Sequence, residues 1–318
     1  MRLLKIIPDT TNIHFMQHRK WTFPFSVILI VGSLALFLVS GLNLGIDFKG
    51  GTLIEFTTKD GPADIPEIRN RLDDLNFGDV QVQEFGAPNE VLVRIERQQG
   101  DDQAQQRVVA LVKEEFGDTV EYQRTEVVGP RVSGELAQAG TIAVIASLMA
   151  VLIYIWFRFE WQFALGAIIA LMHDVILTIG MFSVLRLDFS LSSIAAILTI
   201  VGYSLNDTVV VYDRIRENLR KYKKKPLAEL LDLSINQTLS RTTMTSVTTL
   251  LALLSLYFLG GEVLRSFTFA MIWGIIVGTY SSIFIAAPVL ILLNLRPGKD
   301  TESGGLPPVS SEDKAAAA

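Results

Sequence analysis

The chain has no cysteine among its 318 residues. That removes disulfides, thiolate catalysis and cysteine-ligated metals together. Histidine is scarce too: His14, His18 and His173 lie too far apart in the chain to suggest a metal cluster. No Gly-x-x-x-x-Gly-Lys-Ser/Thr phosphate loop occurs, so no energy source built on ATP hydrolysis by this chain is indicated. Charge is missing from long stretches. The runs 21–46, 136–157, 242–261 and 266–295 contain no Asp, Glu, Lys or Arg. The run 161–185 is broken only by His173 and Asp174, and 189–212 only by Asp207.

What is present is apolar. Half of the residues are hydrophobic, and the mean hydropathy is +0.38. A membrane helix needs about 20 apolar residues, so the six runs are six candidate spans. The first is too long for a signal-peptide core and has no small-residue cleavage site after it, so it is expected to remain as an anchor. The expected organisation is a tail at 1–20, a first transmembrane helix at 21–43, and a water-exposed domain at 44–130. Helices two to six follow at 131–295 with a basic loop at 213–241, and then a disordered tail at 296–318.

Lysine and arginine distribution orients the chain. Arg2, Lys5, Arg19 and Lys20 precede the first span, while Arg214, Arg216, Arg220, Lys221, Lys223, Lys224, Lys225 and Arg241 lie between the fourth and fifth. Segment 43–138 holds 10 basic and 19 acidic residues. Both termini are therefore expected in the cytoplasm and the acidic domain outside. The basic run Arg220–Lys225 fits anionic lipid better than nucleic acid, because it adjoins two spans. In the outside domain, alternation marks strands at 52–57, 80–85, 91–95 and 119–128, and helical spacing marks 64–75 and 101–116. The order β-α-β-β-α-β predicts an α+β ferredoxin-like unit. It carries no catalytic constellation, and its acidic residues fit a solvated face.

Asp207 is the costly residue. A carboxylate at bilayer depth costs roughly 2.5–3.5 kcal/mol on insertion scales, and such groups mark ion paths when they face protein or water. Ser204, Asn206 or Thr208 could satisfy it structurally, or it could carry a proton. Gly202, Ser204, Asn206 and Thr208 add a small, polar stripe. Arg241 opens the fifth span and is a membrane anchor or a counter-charge. Asp174 extends a proton path or locks helices together. His173 beside it points about 100° away on a helix, so the two need not act together. Two membrane aspartates also permit an intramembrane protease, but the Gly-x-Gly-Asp signature is absent. Asp47 leads into Gly50 and Gly51, a pair suited to a tight turn or close backbone approach. Gly274 and Gly278 suggest close helix packing.

Four segments carry a family resemblance: 45–52 (GIDFKGGT), 157–161 with 170–174 (FRFEW, ALMHD), 201–218 (VGYSLNDTVVVYDRIREN) and 234–246 (SINQTLSRTTMTS). The chain resembles the SecF family of the SecD–SecF protein-export complex, relatives of resistance-nodulation-division exporters. The resemblance implies a non-enzymatic subunit of the bacterial inner membrane with no cofactor or metal. It implies coupling of the proton motive force to late preprotein translocation, with a SecD-like partner, beside a SecYEG-type channel. It raises Asp207, Arg241 and, less strongly, Asp174 to proton-pathway residues. Asp47, Gly50, Gly51, Gly202, Asn206, Asp213, Arg214 and Arg216 stand as motif residues. The alternatives are half of a small-molecule antiporter and a passive scaffold of the translocase.

Overall fold

The computed structural model describes residues 11–98, 100, 102–261 and 264–295. The expected tail at 296–318, and the charges of Arg2, Lys5 and Glu262, lie outside the described residues.

The apolar runs fold as helices. They are α1 (Arg19–Ser40), then, after the sheet domain, α5 (Pro130–Arg158), α6 (Trp161–Leu185), α7 (Leu191–Lys221) and α8 (Leu227–Leu259). The sixth is built from α9 (Arg265–Ser281), a π-helical stretch Ser282–Ala286 and α10 (Ala287–Leu292). These six are long and apolar enough to cross a membrane. Helices α6, α7 and α9 form the inside of the bundle, while α1, α5 and α8 are largely exposed on its outside. Glycines set the closest approaches. Side chains added at Gly274 and Gly278 of α9 would run into Ile200 and Ser204 of α7, so the close packing expected of that pair is present.

Between α1 and α5 lies the domain. It runs β1 (Asn43–Leu44), α2 (Ile46–Lys49), β2 (Gly51–Thr58), α3 (Ile65–Asp73), β3 (Val80–Phe85), β4 (Ala87–Ile95), α4 (Asp102–Phe116) and β5 (Val120–Val128). The four long strands form one antiparallel sheet in the order β3-β4-β2-β5. Central β2 is buried on both faces over most of its length. Ile54, Phe56, Val91 and Val93 meet Ile68, Leu72, Val108 and Val112 of the two helices in one apolar core. Asp64 caps α3 by accepting from the Glu67 amide at 3.0 Å. Glu55 departs from the expected solvated acidic face: it is buried in β2 beside Arg124. Burial pushes its carboxyl above the ordinary range, partly offset by Arg124.

The segment between the fourth and fifth spans also differs from expectation. It is no long loop: α7 stays helical to Lys221 and α8 begins at Leu227. No glycine or proline interrupts either helix there, and Leu230, Leu231 and Ile235 of α8 have a buried partner surface in Tyr212, Ile215 and Phe15. The stretch after Pro226 is therefore continuous with the helix that carries the fifth apolar run.

Candidate ion-path site

Helix α7 is anchored firmly at its start. Ser190 and Ser193 form a capping box, and the Asp47 carboxylate accepts from the Leu191 amide at 2.9 Å. A negative charge at a helix N-terminus is favourable. Asp47 thus ties the segment entering the domain to the helix that carries Asp207. Gly50 and Gly51, at φ of 74° and 128°, make the turn after it, and a side chain on Gly51 would collide with the Ile95 carbonyl.

Asp207 lies about 24 Å along α7 from that start, at 1.5 Å per residue. Its residue is 6% exposed. Oδ1 accepts from the Thr242 hydroxyl of α8 at 2.7 Å. Oδ2 accepts from the Ser282 hydroxyl at 2.5 Å. Neither Ser204, Asn206 nor Thr208 serves it. Arg241 is exposed and forms no ion pair with Asp207; its neighbour Thr242 makes the contact.

Asp174, on α6, is completely buried. Its Oδ2 accepts from Ser204 of α7 at 2.5 Å and from Ser281 of α9 at 2.8 Å. Its Oδ1 is 2.9 Å from His173 Nδ1. The two neighbours meet after all, despite the roughly 100° between their positions on the helix. Consecutive residues Ser281 and Ser282 diverge by about 100° on a helix, so they reach different carboxylates. The two aspartates are joined through this serine pair. The π-helical stretch begins at Ser282, a kind of irregularity frequent at functional sites.

Further along α8, Ser246 bonds Thr279 at 2.8 Å and lies 3.4 Å from the Tyr203 hydroxyl. Thr245, Thr248 and Thr249 donate to carbonyls of their own helix. The remaining motif residues divide by place. Asp213 accepts twice from Arg158, at 3.0 and 2.9 Å. Arg214 bonds Gln237 at 2.7 Å, and Arg216 lies 4.0 Å from Glu160. These contacts brace α7 against its neighbours beyond Asp207. Gly202 and Asn206 are exposed on the outer face of α7, and no atom comes within 4 Å of where a side chain on Gly202 would begin.

Sequence reasoning missed Ser281, Ser282 and Thr242 as carboxylate partners. Four consecutive polar residues, Thr279 to Ser282, in an uncharged span were the available signal.

The α6–α7 connection meets the domain. It forms β6 (Asp188–Phe189), paired in parallel with β1. Asp188 accepts from Asn43 at 2.7 Å and pairs with Arg94 of β4. The two carboxylate-bearing helices are thus joined at the point where the sheet domain is held.

The family described as "Protein export membrane protein SecD/SecF, C-terminal" matches residues 108–296. A second, the "SecD/SecF GG Motif", matches residues 35–61, which include Gly50 and Gly51. The chain is 49% identical over 303 residues to the protein translocase subunit SecDF of Brucella abortus, covering 95% of this chain and 40% of that relative. It is 47% identical over 291 residues to the protein translocase subunit SecF of Rickettsia bellii, covering 91% of this chain and 96% of the relative. The crystal structure of SecDF from Thermus thermophilus superposes with a TM-score of 0.82 at 36% identity, over 92% of this chain and 40% of that one. SecDF in its super-membrane-facing form gives 0.67 at 37% identity. The chain thus spans less than half of the SecDF relatives and nearly all of a separate SecF.

Proposed function

The chain belongs to the SecD/SecF family of protein-export membrane proteins, and on that premise we propose that it couples the proton motive force to late-stage preprotein translocation. The observation that carries this reading is the pair of buried carboxylates, Asp174 and Asp207, bridged by adjacent serines in helices whose connection grips the sheet domain. Buried acids that can gain or lose a proton change their partners when they do so. Hydroxyl donors hold the carboxylates here. In this reading, Asp207 exchanges Thr242 for the neighbouring Arg241 as its protonation changes. The shift of α7 against α8 and α9 then reaches the domain through Asp188–Arg94 and Asp47–Leu191.

One charge crossing 100 mV is worth about 2.3 kcal/mol, roughly a fifty-fold bias on a two-state movement. Basic residues at the start of α1 and between α7 and α8 support an orientation with both termini in the cytoplasm and the domain outside the inner membrane. The same residues sit against anionic lipid. Ser192, Thr199, Gly202 and Asn206 present a small, polar stripe on the exposed face of α7. Such a stripe suits close packing against a second membrane helix, and SecDF relatives are longer chains in which this one matches 40% of the length. A SecD-like subunit is the partner proposed for that face, with a SecYEG-type channel delivering the emerging preprotein.

The test is Asp207→Asn in vesicles carrying the chain and its SecD-like partner. Gradient-dependent export should fall by about 100-fold, the lower range for loss of a proton-transfer group, while assembly persists. Unchanged gradient-dependent export by an assembled variant would leave a passive scaffold instead.

A further inference from the structure

His173 is 1% exposed and has no place in the relay described so far. Its Nδ1 meets Asp174, and its ring stacks on Tyr280 of α9 with centroids 6.0 Å apart and planes at 28°. Its Nε2 is buried and has no hydrogen-bond partner among the described residues. A histidine kept only for structure ordinarily bonds both ring nitrogens, since an unmatched buried nitrogen is costly. A second unmatched polar atom lies beyond Tyr280. The Tyr280 hydroxyl donates to the Thr22 carbonyl at 3.3 Å and lies 3.0 Å from Ser26 Oγ. Thr22 Oγ1 is itself buried and has no hydrogen-bond partner among the described residues. Thr22 is in the first turn of α1, at the bundle end opposite the sheet domain. Unmatched polar atoms therefore flank Tyr280, one near that end of the bundle and one beside Asp174.

The hydrogen-bond pattern assigns the tautomer. Oδ2 of Asp174 takes two hydroxyl donors, so with Asp174 ionised Oδ1 takes the hydrogen of Nδ1, leaving Nε2 as a bare basic nitrogen. We propose that His173 is a proton-loading group for Asp174, fed by water along the Thr22–Tyr280 side of α1 and α9. In the loading step a hydrated proton bonds to Nε2 as the proton on Nδ1 crosses to Asp174 Oδ1. The pair passes from neutral imidazole with carboxylate to neutral imidazole of the other tautomer with carboxylic acid. One proton has been gained, and the reverse step releases it. The groups around the ring are Asp174 on its own helix and Tyr280 from α9. Ser204 of α7 and Ser281 of α9 touch it only through Asp174, and Asp207 lies one serine further. The inference rests on Asp174 belonging to the ion path.

His173→Asn is the discriminating variant, because an amide can keep the donor to Asp174 but does not gain or release a proton. In vesicles with the SecD-like partner, its gradient-driven export should fall at least about ten-fold. The pH profile of its residual rate should differ from that of the unsubstituted chain. Full export with an unchanged pH profile would overturn the inference and make His173 a packing residue. If Asp207→Asn still abolishes export in that case, the ion-path reading stands without His173. If neither variant matters, both fall. A measurement free of that substitution uses the full chain in nanodiscs with His14 and His18 replaced by Gln, leaving His173 as the one ¹⁵N-labelled histidine. Its ring resonances should move with pH. Resonances that stay fixed from pH 5 to 8 would overturn the proposal independently of any export assay.

Discussion

In the sheet domain the fully buried side chains are mostly apolar, among them Ile54, Phe56, Leu72, Ile95 and Val112, and no charged group among its described residues is completely buried; in the bundle, Phe163, Tyr212, Leu230 and Leu290 are equally buried, but so are the carboxylate of Asp174 and the hydroxyls of Ser204, Ser281 and Ser282. The difference follows from what surrounds each part. The domain faces water, so it hides apolar surface and leaves charge outside. The bundle has an apolar exterior suited to lipid, so apolar side chains serve both inside and outside it, while its inside is where polar groups find partners. Its outer helices accordingly expose Leu38, Val39, Phe157 and Leu259. Glu55 is the domain's exception, buried beside Arg124 on the sheet face away from the apolar core. Arg94 of β4, directed to the α6–α7 connection, links the two regimes.

The comparison can be broken first at the domain core. Phe56→Ala should cost about 3–5 kcal/mol. Hydrogen exchange should then accelerate through β2–β5 while amides of α6 and α7 keep their protection. A loss of protection in both would mean the two regions do not fold separately. Next comes the link. A double-mutant cycle of Arg94→Ala and Asp188→Ala should give a coupling of about 0.5–3 kcal/mol in domain stability, with proton uptake by the bundle retained and export reduced. The smallest effect concerns Glu55. Its carboxyl is raised in the folded domain, chiefly by burial, so folding favours the protonated form. The favourable contribution is full below the ordinary glutamate range and declines as pH rises through the raised value. Urea unfolding of the wild type should therefore show stability falling across that window, and Glu55→Gln should flatten the slope.

Much of this was legible in the chain. Uncharged runs marked the six spans, alternation marked the strands, and Asp174 and Asp207 stood out because lipid tolerates carboxylates poorly. The rest depended on contacts that no local pattern encodes. Ser281 and Ser282 reach their carboxylates because Gly274 and Gly278 let α9 approach α7, and because adjacent residues on a helix point apart. His173 bonds Asp174 through its ring orientation, which spacing on the helix does not reveal. Thr242, one residue beyond Arg241, takes the contact because its side chain turns inward while Arg241 faces out. The Arg94–Asp188 pair joins residues 94 positions apart, beyond the reach of sequence spacing.

The central claim is that the carboxylate pair moves the domain. The absence of native cysteine permits spin labels at Gln106→Cys on α4 and Lys224→Cys between α7 and α8, with the SecD-like partner present in liposomes. Electron–electron double resonance across an imposed proton gradient should show the label-to-label distance distribution shifting in the otherwise native chain and staying fixed when Asp207→Asn is added. An equal shift in both would contradict the account, as would no shift in either.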